Sequence, residues 1–209
     1  MPKVLRETFL SADLAVSRET LGCLREFVSL LLSWNRTINL VAKGDESAVW
    51  ERHIADSLAL VPLLPPDLSS AIDIGSGAGL PGLVLSIATK RTFHLVESDR
   101  RKATFLREAI RVTQAPAIVH PARVETADLV PAPLITARAA APLVTLLRWS
   151  ARLLAPNGVC IFPKGGGVEG ELTAAAKEWN MRIERFRSLT DSSATILRIS
   201  ELTRSSHAS

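Results

Sequence analysis

The sequence predicts an α/β protein: a mostly parallel sheet with helices on both faces, ending in an antiparallel hairpin and preceded by a helical extension. Three observations carry this. Between residues 71 and 179, short apolar runs alternate with helical patterns, the rhythm of repeated βαβ units. After residue 180, two strand-like runs follow each other directly, so the last pair must be antiparallel. The first 60 residues contain no strand pattern and two stretches of helical periodicity.

The elements follow in order. Ser17 to Leu40 reads as a helix, with Leu21, Leu24, Phe27, Val28, Leu31 and Trp34 at spacings of three and four. Asp45 stands where an N-cap belongs for a second helix through Leu60, with Val49, Trp50, Ile54, Leu58 and Val61 along one side. Trp34 and Trp50 read as core. Pro62–Ser70 is a Pro-rich connector. Strands are expected at Ala71–Ile74, Thr92–Glu97, Ala117–His120, Leu134–Ala137 and Gly158–Pro163. The helices among them fall at Leu83–Thr89, Arg100–Thr113, Leu143–Leu154 and Glu169–Trp179. Met181–Ser188 and Ala194–Leu202, joined by Asp191-Ser192-Ser193, form the hairpin. The chain thus divides into a helical extension (1–66), an α/β domain (67–202) and a loose tail (203–209), arranged as one compact unit.

Composition narrows the function. Hydrophobic residues make up 47% and charged residues 22% of 209, the balance of a globule rather than of a disordered chain. No run of roughly 18 apolar residues suggests a membrane span. Arg6 and Glu7 interrupt the N-terminus before an apolar signal region can form, so a cytoplasmic protein is expected. Cys23 and Cys160 are too far apart for a zinc spacing and make no disulfide framework; both read as buried thiols. The four histidines are scattered and suggest no metal centre, and the absence of tyrosine removes any mechanism that needs a phenol. The net charge is +4, and the densest basic stretch runs from Lys90 to Arg111. That clustering suits a phosphate backbone, although a solvated helix face would have the same composition.

Residues 71–82, Ala-Ile-Asp-Ile-Gly-Ser-Gly-Ala-Gly-Leu-Pro-Gly, are the most informative segment. An apolar strand enters a glycine turn and then a helix, with Pro81 suited to the first helical turn. Glycine serves where a backbone turns sharply or must lie against a ligand, and open α/β sheets bind ligands at this edge. Gly77-Ala78-Gly79-Leu80-Pro81-Gly82 matches G-x-G-x-x-G, and Glu97 follows Gly77 by 20 residues, where a ribose-binding acid belongs. A dinucleotide is therefore one reading. Asp73 argues for the other, because an acid two residues before Gly75 repels a pyrophosphate but suits the ammonium and sulfonium of S-adenosylmethionine. No G-K-[ST] follows, which excludes a triphosphate P-loop.

Arg52-His53-Ile54-Ala55-Asp56-Ser57, followed by the glycine turn from Asp73 to Gly82, resembles the bacterial small-subunit ribosomal RNA guanine-7 methyltransferases, also called the glucose-inhibited division protein B family. Trp34-Asn35, Asn39-Leu40, Lys102 with Phe105-Leu106, Arg123-Val124-Glu125, Arg138-Ala139 and Lys164-Gly165 match in order from about residue 30 to 200. The chain departs from the family's pattern at Val41-Ala42 and at Pro163. The resemblance implies a class I S-adenosylmethionine-dependent methyltransferase fold and a guanine in the decoding-region loop of 16S rRNA as acceptor. It implies that Gly75 and Leu80 line the methionine end of the cofactor, that Glu97 takes the ribose, that Val124 and Glu125 border the adenine, and that Arg138 lies beside the cofactor. With Asp73, Gly77 and Gly79 from the turn, these are the expected cofactor residues.

The chemistry is consistent. Thr136 to Pro142 holds neither the Asn/Asp-Pro-Pro-aromatic motif of amine methylation nor the cysteine of cytosine-carbon methylation. Guanine N7 has an in-plane lone pair and no proton, so no catalytic acid or base is expected, and Arg138 has a positioning role. Candidates for the RNA are Arg52, His53, Arg100, Arg101, Lys102 and Lys164, the last on a glycine-rich loop. A monomer acting on 16S rRNA or the small ribosomal subunit, without metal and away from membranes, completes the expectation.

Overall fold

The computed structural model describes residues 16–205. Its centre is a seven-stranded sheet: β1 (Ser70–Ile74), β2 (Thr92–Val96), β3 (Ala117–His120), β4 (Ala132–Thr136), β5 (Leu154–Lys164), β6 (Trp179–Arg187) and β7 (Thr195–Arg204), in the spatial order β3-β2-β1-β4-β5-β7-β6. The first five strands run parallel, and β7 pairs antiparallel with both β5 and β6. The strand order reverses between β1 and β4, so their C-terminal ends open into the crevice where such sheets bind ligands.

The helices are α1 (Arg18–Asn35), α2 (Ala55–Leu58), α3 (Gly82–Thr89), α4 (Arg100–Thr113), α5 (Leu143–Leu153) and α6 (Val168–Ala175). Alternation along the strands makes two cores. Ala71, Phe93, Leu95, Leu134, Val159 and Ile161 face α1, α3 and α4, while Ile72, Ile74, Val96, Ile135, Cys160 and Phe162 face α5 and α6. The extension shares the first core: Leu24, Phe27 and Leu31 of α1 are fully buried, and Trp34 and Phe27 set their rings 5.8 and 6.3 Å from that of Phe105 on α4. No described helix is long and apolar enough to cross a membrane.

Several expected elements differ. The first helix stops at Asn35 because that side chain turns back on the chain, its Oδ1 accepting from the amides of Leu40 and Val41. The segment from 45 to 60 is not one regular helix. It is a 3-10 turn (Lys43–Ala48), a π turn (Trp50–Ile54) and the short α2. Buried Val49 and Ile54 are five residues apart, a spacing that a π turn accommodates and an α-helix does not. Asp45 is not an N-cap; its carboxylate takes the side chain of Arg52. The helix expected to Trp179 ends at Ala175, and Trp179 opens β6. Thr203 and Arg204, expected in the tail, belong to β7, and 206–209 lie outside the described residues. Cys160 is buried, with its thiol pushed up to about 12 by burial, whereas Cys23 is only partly buried.

Candidate functional site

The glycine turn leaves β1 at the sheet's C-terminal edge. Gly75 and Gly77 adopt φ of +65° and +52°, a region in which side chains are strained. A Cβ on Gly75 would come within 2.8 Å of the Cβ of Ala140, whereas one on Gly77 would meet nothing but the Gly75 carbonyl at 3.7 Å. The backbone at Gly77 therefore faces open space. Gly77 also donates its amide to Glu97 Oε2 at 2.8 Å, while Asp99 donates to Oε1 at 2.7 Å. Asp99 in turn caps α4, accepting from the amides of Arg101 and Lys102. The chain leaving β2 is thus fastened to the turn leaving β1.

A cavity of about 330 Å³ opens here. The turn supplies Gly75 and Gly77, and the end of β2 supplies Glu97 and Ser98. Ala122 to Glu125, Ala139, Ala140 and Trp149 complete the lining, with Ile74 and Val96 at the strand ends. Lys102 and Arg123 set two positive charges against the carboxylates of Glu97 and Glu125.

The expected cofactor residues divide between cavity and scaffold. Gly75, Gly77, Glu97, Val124 and Glu125 line the cavity, as does Lys102, expected on the RNA side. Gly79 is packed inside, where a Cβ would press on Leu83 and Leu106, and Leu80 is buried. Asp73 is fully buried and is not a lining residue. Its Oδ1 accepts from the Thr136 hydroxyl at 2.6 Å, and its side chain lies against Gly82, the first residue of α3. Burial raises the Asp73 pKa to about 6, opposed by the Thr136 hydroxyl and, more weakly, by the Arg138 charge. A carboxylate at that helix start occupies the place that a dinucleotide pyrophosphate requires.

On the other side of the β4 end lies a second cluster. Arg138 is largely buried and is not paired within 4.0 Å to any carboxylate among the described residues. Burial lowers its pKa, and Asp56, Asp73 and Asp45 raise it. The His53 ring nitrogens are buried, and neither has a hydrogen-bond partner; Asp45 Oδ2 stands 3.5 Å from Nε2. Burial and the Arg138 charge hold the His53 pKa below its ordinary value. Asp56 accepts at Oδ1 from the hydroxyls of Ser188 (3.0 Å) and Thr190 (2.5 Å), which ties the hairpin turn to the extension.

The RNA candidates are dispersed. Arg52 is exposed and paired to Asp45. Arg100 and Arg101 are exposed on the first turn of α4, where Arg100, Arg107, Thr104 and Pro121 border a shallow groove. Lys164 is only 11% exposed, with its ammonium 2.7 Å from Glu171 and 3.2 Å from the Ala141 carbonyl, so it ties β5 to α6 instead of facing solvent. Sequence reasoning missed Ser98, Ala122, Arg123, Ala139, Ala140 and Trp149 as lining residues. Arg123 and Ala139 adjoin residues it did name; Trp149 gave no signal, being one apolar position of an amphipathic helix.

The profile of the GidB family, described as rRNA small subunit methyltransferase G, matches residues 21–197. Curated relatives carrying the name ribosomal RNA small subunit methyltransferase G include those of Granulibacter bethesdensis, 54% identical over 94% of this chain and 92% of the relative, and Acidiphilium cryptum, 53% identical over 96% and 94%. Among solved structures, the O-methyltransferase TomG of Streptomyces achromogenes in complex with SAM superposes with a TM-score of 0.58, covering 93% of this chain and 96% of that one at 12% identity. At that identity the likeness bears on the fold alone: a class I methyltransferase sheet.

Proposed function

The chain belongs to the rRNA small subunit methyltransferase G family, and from that premise we propose that its cavity holds S-adenosylmethionine and that it methylates nitrogen 7 of a guanine in the decoding-region loop of 16S rRNA. The observation that carries this is the carboxylate of Glu97 held by the Gly77 and Asp99 amides at the mouth of the cavity. An ionised carboxylate has about four acceptor positions. Two are used by these amides, and the other two suit the paired hydroxyls of a ribose. Open space before Gly77 lets the ligand approach the backbone. Val124 and Glu125 border the adenine, and Ala139 and Ala140, with small side chains, leave room between cofactor and acceptor.

Bound there, S-adenosylmethionine supplies a methyl group on a positively charged sulfur. The residues of the chain have no proton to remove, since guanine N7 carries none. Their work is alignment, which can supply ~7–11 kcal/mol when reacting groups are held in near-attack geometry. Arg138, at the end of β4 between the cavity and the second cluster, is the positioning residue. Asp73 acts at one remove, by fixing the turn. The exposed arginines of α4 hold the RNA backbone, and the protein acts as a cytoplasmic monomer on 16S rRNA or the small subunit.

Equilibrium dialysis should show binding of S-adenosylmethionine and none of NAD, and labelled methyl should pass to small-subunit particles lacking the modification. Binding of NAD in preference, or no transfer to such particles, would overturn the proposal.

A further inference from the structure

The second cluster holds unmet polar capacity. Three segments distant in sequence converge on it: the π turn with His53, the end of β4 with Arg138, and the hairpin turn with Ser188 and Thr190. A cluster that only docked the extension would satisfy its own buried donors and acceptors, because an unpaired buried polar group is costly. Here the tether is complete at Asp56 Oδ1, yet both ring nitrogens of His53 lack partners and Arg138 is unpaired at ion-pair distance among the described residues. The cluster also adjoins the cofactor cavity, since Ala139 and Ala140, which follow Arg138 directly, line that cavity.

An acceptor base must sit beside the cofactor. A guanine that attacks the sulfonium methyl through N7 presents its N1–H and N2–H₂ donors on the far side of the ring, with the O6 acceptor between them and N7. Its recognition therefore requires a carboxylate for the first pair and a donor for O6, with no group bonded to N7. We propose that Asp56 and His53 determine the base specificity, Asp56 accepting from N1–H and N2–H₂ and His53 donating to O6, with Arg138 between them and the cofactor. The Ser188 and Thr190 hydroxyls fix the carboxylate of Asp56 by one oxygen and leave the other for the base. Asp45, itself paired to Arg52, stands 3.5 Å from His53 Nε2, too far to meet its hydrogen-bonding capacity. Burial and, next, the Arg138 charge disfavour protonation of His53, against the pull of Asp45 and Asp56, and so favour a neutral donor able to orient by tautomer.

This inference rests on the methyltransferase reading above, and the test separates the two. Single-turnover methylation is measured with full-length protein on small-subunit particles reconstituted with guanine or with inosine, which lacks N2–H₂, at the target position. Wild type should prefer guanine by about tenfold or more. Asp56→Asn keeps an oxygen for Ser188 and Thr190 but offers an amide to the base, and should bring the guanine-to-inosine ratio close to one. That ratio does not depend on how much of a variant is folded. His53→Gln and His53→Ala should bind S-adenosylmethionine with wild-type affinity by calorimetry. Both should methylate guanine about ten- to a hundredfold more slowly, with glutamine, which retains a donor, the less impaired. An unchanged ratio in Asp56→Asn, or cofactor affinity falling together with rate in the His53 variants, would overturn the assignment. If wild type binds S-adenosylmethionine but transfers nothing to either particle, the methyltransferase reading itself fails, and this inference with it.

Discussion

The two sides of the ligand edge are built differently. On the β2 side the key acid, Glu97, is held by two backbone amides, one of them from the glycine turn, and Ser76 of the turn donates its amide to the Val96 carbonyl of β2. On the β4 side the His53 ring nitrogens are buried without a hydrogen bond, with Asp45 3.5 Å from Nε2, and the partly buried Arg138 has no ion pair among the described residues. The second adjoins the first through Ala139 and Ala140, which follow Arg138 and line the cavity. The first resembles a finished socket, set by local backbone geometry before any ligand arrives. The second is complete only as scaffold, and its free donors and acceptors are what a binding surface presents. A cofactor common to every turnover suits the first, and an acceptor that must be recognised and released suits the second.

The comparison can be broken first at the turn. Gly82→Ala would place a Cβ 2.5 Å from the Asp73 Cβ and 2.7 Å from its Oδ2, so helix and strand must separate. Overpacking of this kind costs about 3 kcal/mol, and denaturant unfolding should show it together with loss of cofactor affinity. If the variant is as stable as wild type, the turn is not the rigid socket described.

Asp73→Asn acts in the opposite direction on stability. The Asp73 pKa rises from 3.8 to about 6 on folding. A raised carboxyl stabilises the fold fully below pH 3.8, and this contribution is lost as pH rises through about 6. The neutral asparagine should therefore be more stable than wild type above pH 6, by about 2–3 kcal/mol at ~1.4 kcal/mol per pK unit. The gap should close toward pH 4. Melting curves across that range check it, and equal curves at pH 8 would mean that the buried carboxylate costs nothing.

Arg138→Ala tests the other side. Loss of a charge-assisted contact that aligns the reactants should cost ~1.5–3 kcal/mol, roughly ten- to a hundredfold in single-turnover rate. The melting temperature should stay near wild type, because no close ion pair is broken. A structural arginine would give the reverse: a lower melting temperature and an unchanged saturated rate. The smallest expected effect is on RNA affinity at the first turn of α4, whose Lys102 also lines the cavity. Replacing Arg100, Arg101 and Lys102 with alanine should flatten the slope of log K against log salt for RNA binding by up to about 2, at ~0.7 per phosphate contact. An identical slope would make the first turn of α4 a solvated face.

Legibility in the sequence followed the same division. The β2 side lies in one βαβ unit, where a strand, a glycine turn and an acid at fixed spacing are contiguous features. Gly75, Gly77 and Glu97, which line the cavity, stand out there, and the boundaries of α4 and β3 match their periodicity residue for residue. The β4 side joins segments more than 130 residues apart through hydroxyls of Ser188 and Thr190 that carry no pattern. The π turn escaped because helical periodicity averages over it, although the Val49–Ile54 spacing records it. Asp73 was legible as an acid at the right place but not as a buried one, since only the pairing of β1 with β4 brings Thr136 to it.

On the proposed function, this sheet edge aligns a methyl donor with a ring nitrogen that needs no base. The most direct measurement locates the methyl group. Small-subunit particles lacking the modification are incubated with the protein and S-adenosylmethionine, and the extracted rRNA is treated with borohydride and aniline, which cut the chain at guanines alkylated on N7. One enzyme-dependent cut is expected, in the decoding-region loop of 16S rRNA, with incorporated methyl approaching one per particle. Methyl incorporation without that cut would place the group on another atom and contradict it.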